Sequence, residues 1–230
     1  MHPQPGHLSL VVPAGVARVA ADSAEVARTI GDNGYRLTLY HLERVASYRE
    51  LLHGCLDQVA EVLGGREGGM HHRDASVFLA TPGAVVPVHI DRHHNVILQV
   101  AGSKDLTVGA FADPVVQRRE IERNFTSRQM ADELPTALGT FHLGTGDALY
   151  IPPYAFHWAE GSSDVTVTLS CAFSTPETER TELVHACNVR LRRLRLPAGP
   201  PGRSRHRDRA KAALMSRARR LRRKVSPRSG

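Results

Sequence analysis

Between Ala75 and Phe173 the chain breaks into seven short apolar, β-branched runs: SVFLAT, VVPVHID, VILQV, LTV, TFHL, ALYIP and VTVTLSCAF. Each is closed off by Gly, Pro or Asp. Runs of this length and composition are strands, because helices need longer segments with apolar residues at every third or fourth position. So many short strands in one stretch leave few open edges only if they close on themselves, so the expected fold is mainly β, a jelly-roll or barrel. A chain of 230 residues, 41% hydrophobic, has enough material for one such core.

The flanks read differently. Residues 1–74 form a lead-in, with short strands expected at Ser9–Val12 and Arg36–Tyr40, followed by a helix from His41 to Leu63. In that helix Leu42, Val45, Leu52, Cys55, Leu56, Val59 and Leu63 recur at helical spacing, and Gly64-Gly65 supplies a stop. The β core, residues 75–173, is interrupted by a polar insertion, 109–138, with a helix expected around Ser127 to Leu134; an insertion of that length borders an entrance or forms a lid. Thr175-Pro176-Glu177 reads as N-cap, first-turn proline and first-turn acid. The helix it opens, within 174–196, carries Leu183, Cys187, Leu191 and Leu194 on one face, either to cap the barrel or to pair two subunits as a homodimer. PAGPPG then breaks the chain, and 197–230 is a linker and basic tail.

The net charge of +7 hides a division. Residues 190–230 hold 16 of the 30 Lys and Arg and a single acid, Asp208, a net +15, which leaves −8 for the rest. Leu214, Ala218, Leu221 and Val225 make a helical stripe among the arginines of the tail. Residues 203–228 thereby suit an anionic partner, whether nucleic acid, membrane surface or acidic protein, or else form a solvated tail. Arg118, Arg119, Arg123 and Arg128 of the insertion either attract an acidic peptide or make a solvated charged surface. No run approaches the ~20 apolar residues that span a bilayer, and the N-terminal segment lacks a basic stretch ahead of its short apolar run, so the expectation is a cytoplasmic protein. Cys55, Cys171 and Cys187 are odd in number and outside any CxxC spacing, as core residues of a reducing compartment would be.

Within VHID, His89 and Asp91 are one residue apart, a spacing that puts both side chains on one face of a strand. GDALYIPPYAFHW offers a third ligand, His157, after a proline-bearing bend. Two imidazoles and one carboxylate are the facial triad of non-haem Fe(II) oxygenases, which keeps coordination positions open where a structural zinc site would close them. His71, His72, His93, His94 and His142 are the competing histidines, read as surface or supporting groups.

The chain has 27 arginines and three lysines, and Lys104 is the one lysine outside the tail. A compact ammonium in a β-rich stretch calls for a counter-charge, which the C5 carboxylate of 2-oxoglutarate would supply; a surface pair with Asp105 is the alternative.

The segments HIDRHHNVILQVAGSK (89–104) and GDALYIPPYAFHW (146–158) together resemble the JmjC-type branch of the cupin superfamily. The pattern is most similar to the asparaginyl hydroxylase of hypoxia-inducible factor and its bacterial cupin-like relatives. The resemblance covers roughly Ala75 to Phe173 and implies a double-stranded β-helix with flanking helices. It implies Fe(II) held by His89, Asp91 and His157, and 2-oxoglutarate as co-substrate held by Lys104 with Asn95 and Ser170 nearby. It also implies hydroxylation of a side chain in a peptide or protein. The chain departs from the pattern at Val86, where those enzymes carry a threonine, and at Ser170, where they carry an asparagine; Tyr150 and Thr168 are the candidate replacement hydroxyls. A cupin-like metal-binding or regulatory protein without 2-oxoglutarate turnover is the alternative function, and an ordinary cupin with HxH and Glu ligands is disfavoured by Asp91.

Overall fold

The computed structural model describes residues 8–12, 15–17, 23–32, 36–63, 68–126 and 134–225. In chain order the elements are β1 (Leu8–Val12), β2 (Gly15–Ala17), α1 (Ser23–Arg28), β3 (Arg36–Leu39), a single 3-10 turn (Leu42–Arg44) and α2 (Ala46–Leu63). There follow β4 (His71–Ala80), β5 (Val85–Ile90), β6 (His94–Ala101), β7 (Lys104–Ala110), α3 (Pro114–Arg123) and β8 (Thr136–Leu143). The chain ends with β9 (Ala148–Ile151), β10 (Phe156–Gly161), β11 (Thr166–Ser174), α4 (Pro176–Arg193) and α5 (Arg205–Val225). The strands form a seven-stranded sheet, β2-β1-β3-β4-β11-β6-β9, and a four-stranded sheet, β5-β10-β7-β8, with every pairing antiparallel. Two facing sheets of this kind are the expected double-stranded β-helix.

The period of two along β11 shows how the large sheet serves two purposes. Leu169, Cys171 and Phe173 pack outward against Leu52 and Leu56 of α2, which are almost wholly buried. The intervening Thr166, Thr168, Ser170 and Ala172 line the cavity between the sheets. One face is thus a hydrocarbon core and the other a polar wall. At one end of the barrel Ile97, Leu106, Leu143, Ile151 and Ala159 join the two sheets with an apolar plug.

Some elements depart from the sequence expectation. The helix expected from His41 begins with a 3-10 turn and becomes α-helical at Ala46, because His41 is left-handed (φ 62°) and resets the chain direction; Val45 is left half exposed. The strand β10 is missing from the apolar runs because FHWAEG mixes His, Trp and Glu, and its burial comes from having β5 and β7 on either side. The insertion holds α3, opened by Asp113 capping Val115 N–H with Pro114 at the first position. The helix expected at Ser127–Leu134 falls almost wholly on 127–133, outside the described residues. On α4 the Thr175 cap is as expected, with a capping box to Thr178. The buried face, however, is Val184, His185, Cys187 and Asn188, with Leu194 exposed, since α4 packs against α5 and α3 and sets His185 against Tyr154 and Phe125. The tail is not simply solvated: Met215 and Asp208 of α5 are buried, and Lys211 donates to Asn188 Oδ1 (2.6 Å) and Gly199 O (3.0 Å). All three cysteines are free, Cys171 and Cys187 buried and Cys55 partly so. Among the described residues no helix is long and apolar enough to cross a membrane.

Candidate metal and co-substrate site

His89 lies near the end of β5, Asp91 just beyond it, and His157 on β10, where it is the direct cross-strand partner of His89. The pairing brings the two imidazole rings to 4.1 Å between centroids. His157 Nε2 lies 3.7 Å from Asp91 Oδ2, and one ligand atom from each of the three residues falls within 4.8 Å of the others.

Hydrogen bonding fixes which nitrogen each ring offers. His89 Nδ1 donates to Pro87 O (2.8 Å) and His157 Nδ1 to Ala155 O (2.9 Å). A carbonyl only accepts, so each ring carries a proton on Nδ1 and turns its Nε2 inward, as metal ligands do. Burial, then the neighbouring His89, pushes the His157 imidazole down to about 4 against the pull of Asp91, so it is neutral at ordinary pH. The carboxylate is oriented in turn. Asn95 Nδ2 donates to Asp91 Oδ2 (3.1 Å), and Ser170 Oγ donates to Asn95 Oδ1 (2.8 Å). Tyr154 N–H donates to Asp91 O (2.7 Å), which ties the β9–β10 loop to the same residue.

The three groups face a cavity of about 550 Å³ between the sheets. Lys104 lines the same cavity from the start of β7, opposite Gly161 of β10 and so four residues from the level of His157, about 13 Å along the strand. Gly102 makes the turn that delivers it: φ is +68°, and a Cβ there would sit 2.4 Å from Val165 O. Burial, with Arg36 nearby, pushes the Lys104 ammonium down to about 8. Arg36, on β3, also lines the cavity; burial lowers its pKa, and its buried Nε has no hydrogen-bond partner among the described residues. The sequence reading missed Arg36. A charged residue opening the short strand RLTL was its only signal.

The structure brings His89, Asp91, His157, Asn95, Ser170 and Lys104 to one cavity. It does not bring the two candidate hydroxyls into service. Thr168 lines the cavity, but its Oγ1 donates to Gln99 Oε1 (3.0 Å), and the Tyr150 hydroxyl is bound to His94 Nδ1 (2.6 Å) on another strand. Val86 is part of the lining, and so is Tyr40, a hydroxyl the sequence reading left out. Of the five competing histidines His93 lines this cavity, and the other four are engaged elsewhere. His94 stacks on Phe173, His93 Nδ1 meets Ser174 Oγ, His142 pairs with Asp105, and His71 and His72 both reach Glu179 in the first turn of α4.

Residues 58–181 match the JmjC domain family. No curated protein matches the chain. Among solved structures, the X-ray structure of Escherichia coli YcfD superposes with a TM-score of 0.53 at 18% identity, over 98% of this chain and 58% of that one. A structure of YcfD described as a ribosomal oxygenase from Escherichia coli, in complex with cobalt and 2-oxoglutarate, gives 0.52 at 19% identity, over 92% and 54%. At these identities the likeness is one of fold, and the chain spans a little over half the length of those structures.

Proposed function

Because this chain belongs to the JmjC domain family, we propose that it is an Fe(II)- and 2-oxoglutarate-dependent oxygenase that hydroxylates a side chain of a peptide or protein. The observation that carries this reading is the pair of Nδ1-locked imidazoles and a braced carboxylate converging at one end of a cavity whose other end holds two partly buried cations.

The donor set fits the metal. Two imidazole Nε2 atoms and one carboxylate suit Fe(II), and three protein ligands would leave positions for a chelating keto acid and O₂. Bound there, the iron and co-substrate supply the oxidation of a C–H bond to C–OH, with 2-oxoglutarate leaving as succinate and CO₂. The chain's own residues do the rest. Lys104 and Arg36 hold the far carboxylate of the diacid and set its direction in the cavity. Asn95 keeps Asp91 turned toward the histidines, and Ser170 keeps Asn95 from rotating. Ile97, Leu106 and Ala159, shared between the cavity wall and the apolar plug, keep bulk water from the closed end, so the cations face an anion in a medium of low dielectric. YcfD's description as a ribosomal oxygenase makes ribosomal proteins the first substrate class to try.

Purified protein with Fe(II), ascorbate and a ribosomal-protein peptide library is expected to convert 2-oxoglutarate to succinate and leave a +16 Da product, and Asp91→Ala to do neither. Undiminished turnover in the variant would remove the triad from the mechanism. A second reading, metal binding without turnover, is favoured by one feature: Val86 and the engaged Thr168 leave the co-substrate fewer hydroxyl donors. Anaerobic addition of 2-oxoglutarate to the Fe(II) protein discriminates: a charge-transfer band in the visible supports the oxygenase, and its absence the alternative.

A further inference from the structure

The helix α3 and the two consecutive C-terminal helices α4 and α5 build a basic track that shares no lining residue with the cavity between the sheets. A cleft of about 1040 Å³ is walled by α3, α4, the PAGPPG linker and the start of α5. Two buried carboxylates organise one wall: Glu120 receives Arg119 and Arg123 (3.2 and 3.1 Å), and Glu122 receives Arg192 (2.6 Å). Both oxygens of Glu120 are thereby engaged, and one of the two oxygens of Glu122, whose Oε1 is buried without a partner among the described residues. Arg118, Arg193, Arg203 and Arg207 line the same cleft with no acidic partner among the described residues. Val189 and Arg193 continue the wall into a second cavity of about 340 Å³, where Arg190 and Arg219 stand beside Phe125, whose ring is covered by Arg92 at 4.0 Å.

From this we infer that the α3–α4–α5 face binds the phosphate backbone of a single-stranded RNA segment. The track is concave. A duplex is read by convex elements that enter its grooves, whereas arginines lining the inside of a cleft suit a single strand. Stable single strands are offered to proteins chiefly by the loops of folded RNA. The chemistry of the lining agrees. Arginine grips phosphate with two parallel N–H donors and stacks on flat groups, and Pro197 and Pro200 add apolar surface along the cleft. The +15 charge of residues 190–230 beside a body of −8 further points the attraction to this face. The inference stands apart from the oxygenase reading and survives or fails without it.

Fluorescence anisotropy of the full-length protein with labelled rU20 tests it, alongside dT20, a 20-base-pair DNA duplex and poly-glutamate. The expected order places rU20 at least tenfold tighter than duplex and poly-glutamate. The variant carrying Arg118→Gln, Arg193→Gln, Arg203→Gln and Arg207→Gln is expected to bind at least fiftyfold more weakly at 150 mM salt. It should also lose about 3 from the slope of log K against log salt, four contacts at roughly 0.7 each. A control removes the same charge from α5 outside the clefts, at Arg205, Arg209, Arg217 and Arg220, and should weaken binding less than fivefold. An equal loss in the control, equal binding of poly-glutamate or duplex, or tighter binding of dT20 than rU20 overturns the proposal. Melting temperatures of both variants within 2 °C of the parent, to be checked by circular dichroism, exclude misfolding as the cause.

Discussion

Replacing Lys104 by methionine tests the end of the cavity that Lys104 and Arg36 line, because the lysine's charge is costly there unless a carboxylate meets it. The ammonium is pushed from 10.5 to about 8 by burial and by Arg36. At ~1.4 kcal/mol per pKa unit, the fold holds this charge at a cost of about 3 kcal/mol. A base with a lowered folded pKa destabilises the fold while it is charged. That cost is therefore fully present below about pH 8, fades between about 8 and 10.5, and is gone above. Lys104→Met should then raise the melting temperature of the ligand-free protein at pH 7, by at most about 3 kcal/mol of stability. Co-substrate binding should suffer in the opposite sense. A charge-assisted hydrogen bond contributes about 1.5–3 kcal/mol, so the dissociation constant of 2-oxoglutarate should rise roughly 10- to 150-fold. In the parent protein the affinity should be flat up to about pH 7 and weaken above about 8, a dependence the variant should lose. Anaerobic isothermal titration of the Fe(II) protein measures both. A variant that binds 2-oxoglutarate within twofold of the parent would refute the assignment of Lys104 to the carboxylate.

Asn95→Ala removes the brace on Asp91 while leaving all three ligands, and metal affinity should fall about 10- to 100-fold with fold stability little changed, as read by Fe(II) titration and thermal melting. Gly102→Ala places a Cβ 2.4 Å from Val165 O at a left-handed position, and should cost more than 2 kcal/mol in chemical denaturation; an unchanged midpoint would mean the β6–β7 turn can relax. Leu56→Ala, at a fully buried position between α2 and the large sheet, should cost roughly 2–5 kcal/mol by the same measurement.

The convergence of His89, Asp91 and His157 was legible in the sequence because its geometry is local. His89 and Asp91 share a strand face by spacing alone, and the Gly-Asp and Pro-Pro punctuation around 146–153 announces the strand and bend before His157. The end that Lys104 and Arg36 line was only half legible. Lys104 stood out as the one lysine of the body, but Arg36 comes from a lead-in strand whose place beside β4 is a matter of sheet order, not of any local pattern. The strand β10 was hidden for a related reason: a strand with neighbours on both sides keeps its place even when its own residues are mixed. The arginines of α3 and α5 read as two unrelated charged surfaces, since nothing in either segment says that α4 will bring them to one cleft.

A basic helix held against a molecule by ion pairs would let go as salt rises, and loss of RNA binding could then report undocking rather than screening. The contacts of α5 argue against that. Its anchors are Met215 buried at the α4 interface, Lys211 on a neutral amide and a carbonyl, and Asp208 accepting from Gly202 N–H, with Arg219 to Glu182 the ion pair that joins it to α4 among the described residues. Burial and hydrogen bonds to neutral groups are little screened, while unpaired guanidinium groups facing solvent are screened within about 10 Å at 0.1 M salt. Salt should therefore strip a phosphate chain from the cleft and leave the cleft standing, which is the condition under which the salt slope counts contacts.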